Sequence, residues 1–130
     1  MTRREWLWLA AVPLRAGEAI DLFAALATEI SEGDAEAALR WFDRRLPGYD
    51  KLAAALRALL SQNDVGCSIE FRSRDELEFE MDWQLDIRTK ELSGIFERRQ
   101  ERVRSRVEKQ GRSWRIVAFE PVSVFDPPRP

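Results

Sequence analysis

The segment from Asp75 to Arg88 alternates between apolar and polar residues over almost its whole length. Successive side chains of a β-strand point to opposite faces of a sheet, so this alternation predicts a long central strand with one buried and one solvated face. A helix would distribute the same apolar residues around its whole circumference. The residues expected on the buried face are Leu77, Phe79, Met81, Trp83, Leu85 and Ile87.

Three helices are predicted ahead of this strand, from apolar residues that recur at helical spacing. They cover residues 17–32, 34–45 and 50–62. Gly33 fits the end of the first helix, and Asp34 and Asp50 fit the N-caps of the next two. The stripe expected to face the core from the first helix is Ile20, Phe23, Ala24, Ala27 and Ile30.

Residues 95–109 allow two interpretations, because their many Glu and Arg residues also suit a helix. Their few apolar residues make a poor helical stripe, whereas in a strand Arg98, Arg102, Arg104 and Arg106 share one face. That face would lie beside the acidic face of the central strand, where each opposed pair contributes roughly 0.2–1 kcal/mol. We therefore predict a strand with a charged, solvated face rather than a nucleic-acid patch.

The remaining strands are expected over residues 65–72 and 114–119, with residues 122–125 extending the last strand beyond Pro121. Helices followed by strands predict an α+β fold, in which three N-terminal helices pack on a curved four-stranded antiparallel sheet. We assign residues 17–125 to one domain and residues 126–130 to a proline-rich tail.

Residues 1–16 contain two arginines at positions 3 and 4, followed by a short apolar run from Trp6 to Leu14. A basic region before an apolar run resembles a twin-arginine export signal and would place the mature protein in the periplasm or outside the cell. The alternative is an N-terminal helix that packs Trp6, Leu7 and Leu9 on the domain of a cytoplasmic protein.

The composition limits the chemistry of the 130-residue chain. It has no histidine, which excludes histidine-based triads and histidine-ligated metals, and its single cysteine, Cys67, excludes an intramolecular disulfide. No metal or cofactor is therefore predicted. The net charge of −2 argues against a nucleic-acid partner, and no stretch reaches the roughly 20 apolar residues of a membrane span.

Two short motifs carry a resemblance to a known family. They are a Gly-Asp step within residues 32–37 and a Trp-x-Ile sequence within residues 111–117. With the element order over residues 17–125, they resemble the nuclear-transport-factor-2-like (NTF2-like, SnoaL-like or cystatin-like) fold, a cone that includes ketosteroid isomerases and polyketide cyclases. The resemblance implies a homodimer through the sheet and a small apolar ligand held in the cone between sheet and helices.

Strand alternation places charged residues on the inner face of this cone. Arg99 and Glu101 fall there, and Glu120 shares the alternation of Trp114. Charges facing a core are costly unless they are paired or line a wet cavity, so these residues become pocket candidates. The alternative is that Arg99 pairs with Glu101 or Glu120 at the rim and the aromatic residues are core. The full candidate set is Arg99, Glu101, Glu120, Trp83, Met81, Trp114, Phe23 and Tyr49.

Two functions follow from this set. The first is non-catalytic binding of a small apolar ligand in the cone, homodimeric association, or both. Val117, Phe119 and Phe125 on the other face of the last strand would then form an apolar patch that a dimer buries. The second is a histidine-free enzyme in which Glu101 or Glu120, its pKa raised by desolvation, transfers a proton. The family's His-Asp sites have no counterpart here, and the only tyrosine, Tyr49, completes no isomerase-like site.

Overall fold

The computed structural model describes residues 3–91, 94 and 96–128, with side chains described from Gly17 onward. Its elements are α1 (Arg3–Ser31), α2 (Ala35–Leu39), α3 (Tyr49–Gln62), β1 (Asn63–Asp75), β2 (Glu78–Thr89), β3 (Phe96–Gln110), β4 (Ser113–Glu120) and a short 3-10 helix (Val122–Phe125). The strands form one antiparallel meander in the order β1-β2-β3-β4, and the helices cover one of its faces. The predicted α+β architecture is confirmed.

Part of the N-terminal prediction falls outside the described residues. The helix α1 begins at Arg3, but the side chains of Trp6, Leu7 and Leu9 are not among those described, and neither are residues 1–2. The export signal therefore stays a prediction. In the part of the chain that the structure describes, no helix is both long enough and apolar enough to cross a membrane.

The helix α1 ends, and α2 begins, largely as their residues predict. Gly33 adopts a φ of 79°, and the Asp34 carboxylate accepts a hydrogen bond from the Ala37 backbone N–H at 3.0 Å. The buried stripe of α1 differs in part from the expected one, because Ala24 is exposed while two leucines are buried. Its fully or nearly fully buried residues are Ala19, Leu22, Phe23, Leu26 and Ile30.

The helix α2 is much shorter than the predicted 34–45. Beyond it the backbone pairs with the edge of β4, where the Ile116 N–H donates to the Trp41 carbonyl at 2.8 Å and the Asp43 N–H donates to the Ile116 carbonyl at 2.9 Å. These sheet-like bonds replace the helical ones. The predicted Asp50 cap is also wrong, since Gly48, at φ 79°, precedes the first turn of α3.

The first hairpin turns at residues 76–77, because β1 continues pairing as far as Asp75, three residues beyond the predicted end of that strand at residue 72. The central strand β2 keeps its predicted alternation: all its inward side chains are at most 2% exposed. Leu77 lies in the turn and packs partly buried against the core. The inward side chains of β2 are Phe79, Met81, Trp83, Leu85 and Ile87.

A bulge in β4 changes which residues face the core. Arg106 pairs with Ala118 and Val107 pairs with Ile116, so Val117 has no residue opposite it in β3. An extra residue reverses the alternation of everything that follows. Phe119 is therefore buried, at 4% exposure, and Glu120 is exposed on the outside. The predictions that Glu120 faces inward and that Phe119 contributes to an exposed patch are wrong.

The segment after β4 does not extend the strand as predicted. Beyond Pro121 it forms the 3-10 helix, whose Val124 and Phe125 are at most 1% exposed. The ring of Phe125 stacks on that of Phe119, with centroids 5.4 Å apart and planes 10° apart. The predicted apolar patch of Val117, Phe119 and Phe125 consequently does not exist, because two of its three members belong to the core.

Candidate functional site

The space between helices and sheet is filled with aromatic rings. One group meets edge to face at 5.6–5.9 Å between centroids and consists of Phe23, Phe71 and Phe79. A second group, with centroids 5.3–6.4 Å apart, consists of Phe42, Trp83, Phe119 and Phe125. The predicted apolar lining of the cone, as far as its side chains are described, is therefore buried core. Three depressions lined by described residues lie on the outer surfaces of the sheet and the helices.

Two polar side chains that lie opposite each other on β2 and β3 make no side-chain hydrogen bond with a described residue. The Trp83 indole Nε1–H is buried and makes no hydrogen bond in the described part of the chain. Glu101 lies directly opposite Trp83 on β3, is partly buried, and makes no ion pair or hydrogen bond with a described residue. Opposed residues of neighbouring strands have Cβ atoms about 4.5–5.5 Å apart, so these two side chains start from adjacent positions on the sheet.

Arg99 holds the C-terminal segment. Its guanidinium donates to the Glu97 carboxylate at 2.7 Å and to the backbone carbonyls of Val124 and Asp126 at 2.7 and 2.6 Å. The expected pairing with Glu101 or Glu120 does not occur. The guanidinium of Arg99 is therefore engaged by these acceptors, and its bonds to the two carbonyls hold residues 124–126 against the sheet.

The other predicted site residues are dispersed. The Trp114 indole donates to the Glu18 carboxylate at 2.6 Å, which ties β4 to α1. Phe23 and Met81 are fully buried in the core. Tyr49 lines a depression outside the cone. Of the eight predicted residues, β2 and β3 thus bring together Met81, Trp83 and Glu101, whereas Tyr49 and Glu120 lie elsewhere.

The outer face of the sheet carries the predicted charge ladder, and the predicted pairing is confirmed. In the register of β2 and β3, every acid of β2 from Glu78 to Asp86 lies opposite an arginine. The guanidinium of Arg102 donates to Asp82 at 2.7 Å and to Glu80 at 3.1 Å, and these carboxylates raise the pKa of Arg102 above its ordinary value. The other pairs between β2 and β3 are Arg98–Asp86, Arg104–Glu80 and Arg106–Glu78, at 2.9–3.6 Å, and Arg72 of β1 also pairs with Asp82 at 3.4 Å.

One uncharged pair interrupts the ladder at its centre. The Gln100 side-chain amide donates to the Gln84 carbonyl oxygen at 3.0 Å, and Ser68 continues the row on β1. A shallow depression of about 740 Å³ lies over this row. The outer face therefore consists of an acidic stripe on β2, a basic stripe on β3 and a neutral row across both.

Comparisons with known proteins identify the fold. No family model and no curated protein matches the chain. An NTF2-like protein with a cystatin-like fold from Novosphingobium aromaticivorans is 16% identical over 91% of this chain and 87% of its own, with a TM-score of 0.56. The protein has the NTF2-like fold.

Two other similar structures share the fold. A candidate polyketide cyclase from Xanthomonas campestris pv. campestris is 12% identical over 79% of this chain and 87% of its own, with a TM-score of 0.55. A candidate calcium/calmodulin-dependent protein kinase II association domain from Xanthomonas campestris is 13% identical over 75% of this chain and 79% of its own, with a TM-score of 0.54.

The NTF2-like domain also carries a basic depression that the sequence analysis missed. It lies where the segment after α2 meets the β3–β4 hairpin, and Asp43 is fixed within it. The backbone N–H of Arg45 donates to Asp43 at 2.8 Å and the Gln110 amide donates at 2.7 Å, and these bonds lower the Asp43 pKa to about 2. Arg40, Arg44 and Arg45 were visible as a local cluster around Asp43, but the contribution of the hairpin depends on the long-range pairing of Trp41 and Asp43 with Ile116.

Proposed function

We propose that this NTF2-like domain is a non-catalytic association module that forms a homodimer through the outer face of its sheet. The observation that supports the proposal is that aromatic side chains fill the described space between helices and sheet, whereas the outer face of the sheet is solvent-exposed. The inner space is occupied by the chain's own aromatic rings. The outer face of all four strands is uncovered by any described element and carries self-complementary charge.

The size of the face supports this use. Four strands spaced about 4.8 Å apart, with about 12 residues at about 3.3 Å each, give a face of roughly 750 Å². Specific interfaces bury roughly 800 Å² per partner. A second copy of the same face would therefore supply an interface of ordinary size.

The charge stripes select the symmetry of such a dimer. A two-fold axis parallel to the strands and between β2 and β3 would place the acidic stripe of one copy over the basic stripe of the other. Because this rotation keeps the level along the strands, Asp82 would face Arg102 of the partner and Gln84 would face Gln100 of the partner. An axis perpendicular to the strands would place acids over acids. We therefore favour the parallel axis.

The proposed interface is polar, and this determines its behaviour. Its ion pairs are exposed in the monomer, and such pairs are screened by salt. We expect a dimer in the micromolar range that dissociates as salt is raised, unlike a dimer held by an apolar patch. A candidate association domain among the similar structures is consistent with association as one use of the fold.

The test uses substitutions in the neutral row, where no ion pair is lost. Gln84→Glu adds an acid to the acidic stripe and should tighten the dimer, whereas Gln84→Arg places a base over the partner's basic stripe and should weaken it. Each change acts twice by symmetry, so roughly tenfold shifts in dissociation constant are expected in sedimentation equilibrium. The reverse pattern, in which Gln84→Glu weakens the dimer and Gln84→Arg tightens it, would refute the chosen axis. A monomer in both variants and the parent would refute the dimer.

A second candidate function rests on the unpartnered groups of the inner face. The Trp83 Nε1–H could donate to, and Glu101 accept from, the polar end of a small ligand that displaces part of the core. The histidine-free enzyme would then depend on Glu101 alone, since Glu120 lies on the outer side. Native mass spectrometry of the purified protein tests this candidate: a bound small molecule lost on Glu101→Gln would support it, and a bare chain would count against it.

A further inference from the structure

The basic depression described above concentrates positive charge in a chain whose net charge is −2. Its volume is about 430 Å³, and it is walled by the segment after α2, the start and middle of α3 and the β3–β4 hairpin. Two acids, Glu36 and Asp43, also line it. The arginines that line it are Arg40, Arg44, Arg45, Arg57 and Arg115.

The two acids are each satisfied by one of these arginines. Arg57 donates twice to Glu36, at 2.8 and 3.1 Å, and Arg45 lies 3.4 Å from the Asp43 carboxylate. Within the described part of the chain, Arg40, Arg44 and Arg115 have no carboxylate within 4.0 Å. Three guanidinium groups around one depression are therefore not in ion-pair contact with a carboxylate, although Glu36 acts electrostatically on Arg40 and Glu108 lies opposite Arg115 in the register of β3 and β4.

Arg115 is oriented by its own strand. One guanidinium nitrogen, Nη1, donates to the Trp114 carbonyl at 3.0 Å, while the others make no hydrogen bond to a described residue. The backbone pairing of Asp43 with Ile116 fixes the loop that carries Arg44 against the strand that carries Arg115. The arrangement is thus held by β-type hydrogen bonds rather than by the arginines themselves.

The rest of the lining is not charged. Leu39 and Phe42 form an apolar base at 4% and 3% exposure, and the half-buried Tyr49 lies at one side. A ligand seated here would place an anionic group among the guanidiniums and an apolar or flat group against Tyr49 and Phe42. Guanidinium groups bind phosphate through pairs of parallel hydrogen bonds, which makes phosphate the anion best matched to three of them.

We propose that this depression binds a small phosphorylated molecule, with Arg40, Arg44 and Arg115 as the phosphate ligands. The site lies outside the cone, at the β4 edge of the sheet, whereas the axis of the proposed dimer lies between β2 and β3. The probe is inorganic pyrophosphate, titrated by calorimetry at about 50 mM salt, where screening is modest. We expect saturable binding with a dissociation constant below about 1 mM.

Substitutions define which arginines matter. Arg44→Gln and Arg115→Gln should each weaken pyrophosphate binding at least fivefold, and together at least tenfold. Arg74→Gln is the matched control, because it removes the same charge from an exposed position on β1 outside the depression, and its affinity should stay within twofold. Equal losses in the control would overturn the proposal, since they would indicate a general charge effect.

A measurement on the parent protein keeps the proposal testable if a variant does not fold. In NMR titrations, pyrophosphate should shift the amides of residues 40–45 and 110–116 and leave those of β1 unchanged. No saturable shift up to about 10 mM would refute the site. Binding of a single-stranded RNA oligonucleotide without any pyrophosphate binding would refute the small-ligand assignment in favour of a nucleic-acid surface.

Discussion

Replacing Phe119 by alanine tests the register of the last strand. The ring is 4% exposed and meets Phe42, Trp83 and Phe125 with centroids 5.3–5.4 Å apart. Truncation of a buried phenylalanine costs about 3–5 kcal/mol through lost burial and the cavity left behind. A domain of this size is stable by about 5–15 kcal/mol, so Phe119→Ala should remove a large fraction of that stability.

The same reasoning gives a matched control two residues away. Val117 is the extra residue of the bulge and only partly buried, so Val117→Ala should cost about 1 kcal/mol or less. Both variants would be unfolded in urea and followed by circular dichroism, with unchanged slopes required for a two-state comparison. Had the strand kept strict alternation, Phe119 would be solvent-exposed and its loss nearly neutral. A Phe119→Ala cost below about 1 kcal/mol would therefore refute the bulged register.

Three further predictions follow from individual groups. Arg99→Gln should cost about 1.5–3 kcal/mol and increase proteolytic cleavage after Phe125, because the carbonyls of Val124 and Asp126 lose their charged donor; equal cleavage of parent and variant would contradict this. Asp43 has its pKa lowered to about 2, so it stabilises the fold above its unfolded pKa of about 3.9, and this contribution is lost as pH falls from about 4 to 2. Asp43→Asn should therefore flatten the acid limb of stability against pH. Burial raises the pKa of the Cys67 thiol to about 12, and a thiol reagent at about pH 8 should label it only after unfolding.

The sheet was predictable because its signal is local. The alternation of β2 and the arginines on one face of β3 can each be read from a single segment of the sequence. Each shows which side chains share a face of the sheet, without knowledge of the fold. The end of α2 was not predictable, since Trp41 to Asp43 leave the helix in order to pair with Ile116, 70 or more residues away. Helical spacing of apolar residues gives no information about such a competing partner.

The candidate site was predicted less well for a specific physical reason. Every assignment of inward and outward positions in the last strand assumed an unbroken alternation, and the bulge at Val117 reverses it. That one residue moves Glu120 from the expected pocket to the outside. Arg99 was correctly placed on the inner side, but its acceptors, the carbonyls of Val124 and Asp126, lie in a segment predicted as strand and tail. Every residue has a backbone carbonyl, so the sequence does not indicate which carbonyls accept a side-chain hydrogen bond.

The charge ladder has a consequence for how β2 and β3 align during folding. The inward residues of β2 are all apolar. If β2 slipped by two residues relative to β3, apolar side chains of β2 would still face the same core, so the buried face does not distinguish between these alignments. The wet face can. A shift in one direction leaves two of four opposed acid–arginine pairs and brings Arg88 against Arg98, while the other shift also leaves two and sets Gln84 against Arg98. The neutral Gln84–Gln100 pair thus helps to specify the register of β2 and β3. Solvent-facing residues that add little to stability therefore determine how the two strands align.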